Sequence, residues 1–178
     1  RVLKALTDKD AQLVRIAGSF VRDLPGDDAT KAFAGLLAEA PVEQKTFLIE
    51  QLTDRGDPNA RESIMDAANS ADDAGKLAAI RALGRIGNEQ DAAALVMGII
   101  ALTGEQKRAA QTSLNTLPGA GVNKALVVVA QGKDPKMASI AITALAERRA
   151  KETRPDLLAL THSPETGLRG DAYAALEA

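Results

Sequence analysis

The sequence contains no cysteine, no tryptophan and a single histidine, His162. The lack of thiols excludes disulfide staples, thiolate metal sites and cysteine nucleophiles. One histidine cannot supply a multi-histidine metal centre. Aromatic residues make up only 2% of the chain: Phe20, Phe33, Phe47 and Tyr173. The 46% hydrophobic content therefore comes almost entirely from Ala, Leu, Ile and Val. That composition favours close-packed helices over a β-sandwich, which is rich in aromatic and β-branched strands. No apolar run is long enough to span a bilayer. With 22 basic and 24 acidic residues, the formal charge of −2 gives no electrostatic reason to expect nucleic acid or an anionic membrane as partner. No phosphate loop, three-glycine dinucleotide motif, zinc-ligand spacing, EF-hand or nucleophile elbow occurs. The expectation is a chain without metal, cofactor or catalytic centre.

What is present is a repeat. Stepping by about 31 residues from Leu83 reaches Leu114, Leu145 and Leu176, and backwards Leu52 and Val21. Ala79 leads likewise to Ala110, Ala141 and Ala172, with Leu48 and Ala17 upstream. Further ladders run Val2, Phe33, Ile64, Leu95, Leu126, Leu157 and Leu6, Leu37, Ala68, Ile99, Ala130, Thr161. Apolar ladders holding one register without insertion identify a solenoid-type repeat.

Each unit reads as two short helices. Leu77, Ile80, Leu83 and Ile86 mark the expected buried stripe of one first helix, with Gly84 beside it. Gly87 is expected to end that helix in the left-handed conformation, and Asn88 to cap the next. Ala92, Leu95, Val96, Ile99 and Ile100 form the stripe of the second helix. Gly26, Gly56 and Gly119 recur at the same turn; Arg148-Arg149-Ala150 lacks a glycine, so that turn must be built differently. Pro25 and Pro118 precede turn glycines, and Pro41, Pro135 and Pro164 separate units. Pro58 and Pro155 open second helices, where a missing N–H costs little. The run Leu126-Val127-Val128-Val129 looks like a strand but falls on a second helix of the ladder, so helix is expected. The parse gives an all-α, right-handed α-α superhelix over residues 1–178: five full helix pairs, a half-unit at Arg1–Thr7 and another at Pro164–Ala178. Leu3, Leu6, Leu168, Tyr173 and Leu176 keep the internal pattern at both ends, so the chain reads as a segment of a longer array.

The run Lys76-Leu77-Ala78-Ala79-Ile80-Arg81-Ala82-Leu83-Gly84-Arg85-Ile86-Gly87-Asn88-Glu89-Gln90-Asp91-Ala92-Ala93-Ala94-Leu95-Val96 resembles the HEAT repeat in its short, phycocyanobilin-lyase-type form. Arg108 to Gly119 and Ala138 to Arg148 look like looser copies. The resemblance implies an armadillo-like superhelix. It carries little about function, because such arrays serve many roles. The tail, Pro155 to Leu160 and Leu168 to Ala172, looks like large bacterial multi-HEAT proteins. Those are often extracytoplasmic and joined to carbohydrate-active or haem-containing domains, which favours a periplasmic location on resemblance alone.

Lys45, Lys76, Lys107 and Arg169 form a basic ladder broken at Ala138. The resemblance implies that these residues pair with carboxylates of neighbouring units, Asp73 and Glu105 being candidates. His162 is expected to face solvent near a helix C-terminus. Asp27-Asp28 and Asp72-Asp73 are expected at helix starts. Arg148, Arg149, Lys151 and Arg154, interleaved with Glu147 and Glu152, read as a solvated turn. Stacked pairs would line a concave face with second helices, off the core stripe. Lys31, Gly35, Glu62, Asp66, Ala93, Met97, Lys124, Val128 and Ala159 take those positions. Met97 and Val128 would make an apolar centre with a charged rim, unless the facing is one residue out and both are core. The expected function is a monomeric, non-enzymatic scaffold for a protein or peptide. The alternatives are an accessory or regulatory segment of a larger bacterial enzyme, or a bilin-lyase-like protein.

Overall fold

The computed structural model describes residues 1–6, 8–69 and 71–178, so Thr7 of the first half-unit lies outside the described residues. Helix covers 78% of the chain and no strand occurs among the described residues. The fold is all-α. The chain forms two compact units, Arg1–Ile86 and Gly87–Ala178. The first holds α1 (Val2–Leu6), α2 (Ala11–Asp23), α3 (Asp27–Glu39), α4 (Val42–Arg55), α5 (Arg61–Ala68) and α6 (Asp73–Ile86). Within it α2, α4 and α6 pack in succession as one layer, and α1, α3 and α5 as another. The second unit holds α7 (Asp91–Ala101), α8 (Gly104–Thr116), α9 (Val122–Ala130), α10 (Pro135–Glu147), α11 (Arg154–Leu160) and α12 (Thr166–Glu177). Here α8, α10 and α12 form one layer. In the other, α7 packs on α9, and the 3-10 turn Lys151–Thr153 that leads into α11 rests on α9.

The apolar ladders are the core. Every rung of the Ala79 ladder is buried, and so are five of the six rungs through Leu83, Leu176 being half-buried. In the first unit Leu6, Phe33, Leu37, Leu48, Leu52 and Ile64 close one apolar cluster. Small residues set the spacing between neighbouring helices of a layer: a Cβ on Gly18 of α2 would collide with Cζ of Phe47 on α4, so glycine there admits the aromatic ring.

The stripe expected on α6 is displaced. Leu77 and Ile80 are half-buried, whereas Gly75, Ala78, Ala79, Ala82, Leu83 and Ile86 are buried. A strict step of three falls short of the 3.6-residue turn and spirals off the face, so only its last two members stay in the core. On α7 the stripe Ala92, Leu95, Val96 and Ile99 holds, but Ile100 is exposed.

The turns follow local chemistry. Gly26, Gly56 and Gly119 all adopt positive φ at 96°, 74° and 118°. At the turn without glycine, Arg149 takes the left-handed conformation itself, at φ 51°. The Ala150 N–H reaches the Leu145 carbonyl and the Arg149 N–H reaches Ala146, which closes a Schellman motif on a non-glycine residue. Gly87 departs from expectation: it is buried and is not among the positive-φ glycines. That turn is closed instead by side chains. The Asn88 amide oxygen accepts from the Gln90 N–H at 2.9 Å, and Asp91 Oδ2 accepts from the Asn88 N–H at 2.9 Å, a reciprocal capping arrangement. Asp10 and Asp134 cap α2 and α10, and Asp72 accepts from the Gly75 N–H at 2.8 Å. Asp27, Asp28 and Asp73 occupy first turns, as expected. The Leu126–Val129 run is helical within α9, where core packing outweighs its β propensity.

Candidate functional site

The side chains expected off the core stripe of the second helices are all on the surface. In the first unit Lys31 and Gly35 on α3, and Glu62 and Asp66 on α5, are exposed. In the second unit Ala93 and Met97 on α7, Lys124 and Val128 on α9, and Ala159 on α11 are exposed. Met97 is 58% and Val128 66% exposed, so neither belongs to the core. The two helices pack side by side. Leu158 on α11 is also exposed. This layer of the second unit therefore presents large apolar side chains to solvent, with Lys124 one turn before Val128.

The basic ladder does not form one repeated arrangement. Lys45 is buried, Lys76 and Lys107 are exposed, and Arg169 is half-buried. Arg169 donates to the carbonyls of Ser163 and Pro164, at 2.9 and 3.0 Å, and to the Thr166 hydroxyl. It closes the turn that leads into its own helix. The residue lies in the first turn of α12, where an anion would suit the dipole better; local carbonyls offset that mismatch.

The strongest polar constructions were not foreseen. Arg55, at the end of α4, has a side chain only 7% exposed. Its guanidinium donates to the carbonyls of Val21 at 2.6 Å, Leu24, and Gly26 at 2.9 Å. Its Nε donates to Oγ1 of Thr30 at 2.5 Å, and the Thr30 hydroxyl passes a hydrogen bond on to Asp57. These carbonyls belong to the end of α2 and the turn after it, groups a helix terminus leaves unsatisfied. The second unit repeats the device. Arg148, expected in a solvated turn, is half-buried and donates to the carbonyls of Leu114 and Asn115 at 3.0 and 2.9 Å. Its Nε donates to Oδ1 of Asn123 at 2.7 Å, and Asn123 donates to Glu152 at 2.5 Å. Burial lowers the Arg148 pKa, while the charge of Glu152 works against that shift. Burial alone would raise the pKa of Asp57, but hydrogen bonds from Thr30 and Asn59 and the charge of Arg55 bring it below its usual range. The Asn123 hydrogen bond does the same for Glu152. One signal was available: the ladder Leu24, Arg55, Ile86, Leu117, Arg148 places arginine in a register otherwise held by apolar residues.

The second unit also contains a cleft. A volume of ≈ 520 Å³ opens near the starts of α8, α10 and α12, lined by Ile99, Ile100 and Ile140 together with Lys107, Lys136, Glu165 and Asp171. It shares Ile99, Ser139 and Ile140 with a second volume of ≈ 430 Å³ running between α8 and α10 to Asn115 and Glu147. Arg154 binds the Leu176 carbonyl at 3.2 Å. His162 is exposed at the end of α11, its Nδ1 3.3 Å from the Leu158 carbonyl. Among the described residues no group of three or more His, Asp or Glu is placed to hold a metal, and no helix is long and apolar enough to cross a membrane.

Three solved structures illustrate the likeness of the whole chain. A crystal structure of an engineered protein is 19% identical, with 99% of this chain and 94% of that one covered and a TM-score of 0.49. A designed armadillo repeat protein in complex with the peptide (KR)4 is 15% identical, covering 99% and 97%, with a TM-score of 0.45. The complex of CpcE and CpcF of phycocyanin lyase from Nostoc sp. PCC7120 is 16% identical, covering 98% and 95%, with a TM-score of 0.42. No curated protein matches the chain. Residues 30–115 match the family model described as HEAT repeats. The resemblance read from the sequence therefore holds, in that residues 30–115 are similar to HEAT repeats.

Proposed function

We propose that the chain is a non-enzymatic scaffold that binds a protein or peptide along the exposed side of α7 and α9. The observation that carries this reading is the exposure of Met97 and Val128 on two helices packed side by side. Burying the exposed part of each against a partner contributes on the order of 1–2 kcal/mol of apolar transfer. Both side chains project from preformed helices, so little backbone ordering opposes association. Lys124 supplies a charged edge to the apolar centre, the pattern of many interfaces. In the first unit, Lys31, Glu62 and Asp66 offer charged positions on α3 and α5.

A peptide array probed with the native chain and with a Met97→Glu/Val128→Glu variant tests this reading. The variant must first show native helix content by circular dichroism. The expected result is a set of peptides retained by the native chain and lost by the folded variant. Equal retention by both proteins, or no retention by either, contradicts the proposal. The cleft supports a second reading, that of a bilin-lyase-like protein holding a small ligand against Ile99 and Ile140. An absorbance shift on titrating a bilin, abolished by Ile140→Glu, would favour it over the scaffold.

A further inference from the structure

We propose that the free side of α2 is a stacking face for one further helix pair of the same repeat type. Leu13, Ile16, Phe20 and Leu24 lie along one side of α2 and the residue that caps its C-terminus, and all four are exposed, Ile16 to 55% and Phe20 to 46%. Four large apolar side chains at helical spacing make a stripe, not scattered surface residues. The repeat register says what covers it. One period on, the same positions of α4 are Gln44, Phe47, Gln51 and Arg55, and each is turned toward the helices before it. Phe47 and Gln51 meet Gly18 of α2, Arg55 holds the Val21 and Leu24 carbonyls, and Gln44 donates to the Asp8 carbonyl. Two periods on, the positions are Gly75, Ala78, Ala82 and Ile86 of α6, all buried. The side of α2 that remains uncovered is therefore the side on which α4 receives α2.

The occupant is a helix pair of this repeat kind, and a second copy of the chain fits poorly. The register that seats Phe47 on Gly18 would set Tyr173 of a stacked copy on Ile16, two bulky groups where the chain itself opposes large to small. The outer positions of α12 near it, Gly170 and Glu177, offer no apolar surface to Phe20 or Leu13.

The test compares the 178-residue chain with a version carrying a copy of residues 10–31 joined ahead of Arg1, which places a second α2 on α2 in register. The extended protein is expected to melt about 5 °C or more higher and to show slowed amide exchange across α2. Ile16→Glu with Phe20→Glu is expected to erase that gain in the extended protein while shifting the 178-residue chain little. The proposal is overturned if the extension changes neither melting nor exchange, or if the double substitution unfolds the 178-residue chain. It is also overturned if the 178-residue chain runs at twice its mass and the substitutions make it monomeric, which would assign the face to a second copy.

Discussion

Arg55 is charged and enclosed, whereas Met97 and Val128 are apolar and open to solvent. The two regions invert the ordinary partition of side chains, and they do so for different reasons. Around Arg55 the carbonyls ending α2 have no helical partner, and a planar fork of donors satisfies several of them at once. The exposed side of α7 and α9 has no comparable local explanation. Lys124 there could be matched by further polar residues at no cost to the core, yet Met97 and Val128 stand beside it. Intrinsic structure accounts for the first inversion, and the proposed partner would account for the second.

The largest effects are expected where charge is enclosed. Arg55→Ala leaves the α2 carbonyls without donors and should cost about 3 kcal/mol in chemical denaturation. Arg55→Lys retains the charge but not the fork, and should recover less than half of that loss. Arg148→Ala should cost about 2 kcal/mol, less because the side chain is only half-buried and binds fewer carbonyls. Equal costs at the two sites would show that enclosure does not set the strength of the device.

A smaller change of opposite sign tests the turn beside the second arginine. Arg149→Gly relieves the left-handed backbone and should stabilise by about 1 kcal/mol, read as a rise in melting temperature. The acidic ends of the two relays predict a pH dependence. Asp57 and Glu152 have lowered folded-state pKa values. Their contribution is therefore complete above the unfolded carboxylate values and is lost as pH falls through the folded ones. Melting curves between about pH 2 and pH 6 should show native chain and Asp57→Asn/Glu152→Gln variant separated at the upper end and converging at the lower. A constant gap would mean the relays do not depend on ionised carboxylates.

Much of this architecture was legible from residue order. The ladders through Leu83 and Ala79 located the core, and the prolines and turn glycines located the helix ends, because each acts through local geometry. Residue order leaves the facing of Met97 and Val128 open. A position next to the core stripe is either buried or open according to how the neighbouring helix leans, and sequence spacing alone does not fix the lean. Leu77 and Ile80 leave the expected stripe for a related reason, since steps of three drift around the helix. Arg55 and Arg148 were missed because their roles depend on carbonyls some thirty residues earlier in the chain, which no local motif records. The cleft beside Ile99 and Ile140 likewise arises from the separation of α8 and α10, not from any signature in either helix.

The measurement that bears most directly on the account is thermal unfolding of the Met97→Glu/Val128→Glu variant beside the native chain. If the second-helix layer is an open surface awaiting a partner, two exposed substitutions should move the midpoint by no more than about 2 °C, with helix content unchanged. A collapse of cooperative unfolding would contradict the account, because it would mean that both side chains belong to the core and that the apolar surface attributed to binding does not exist.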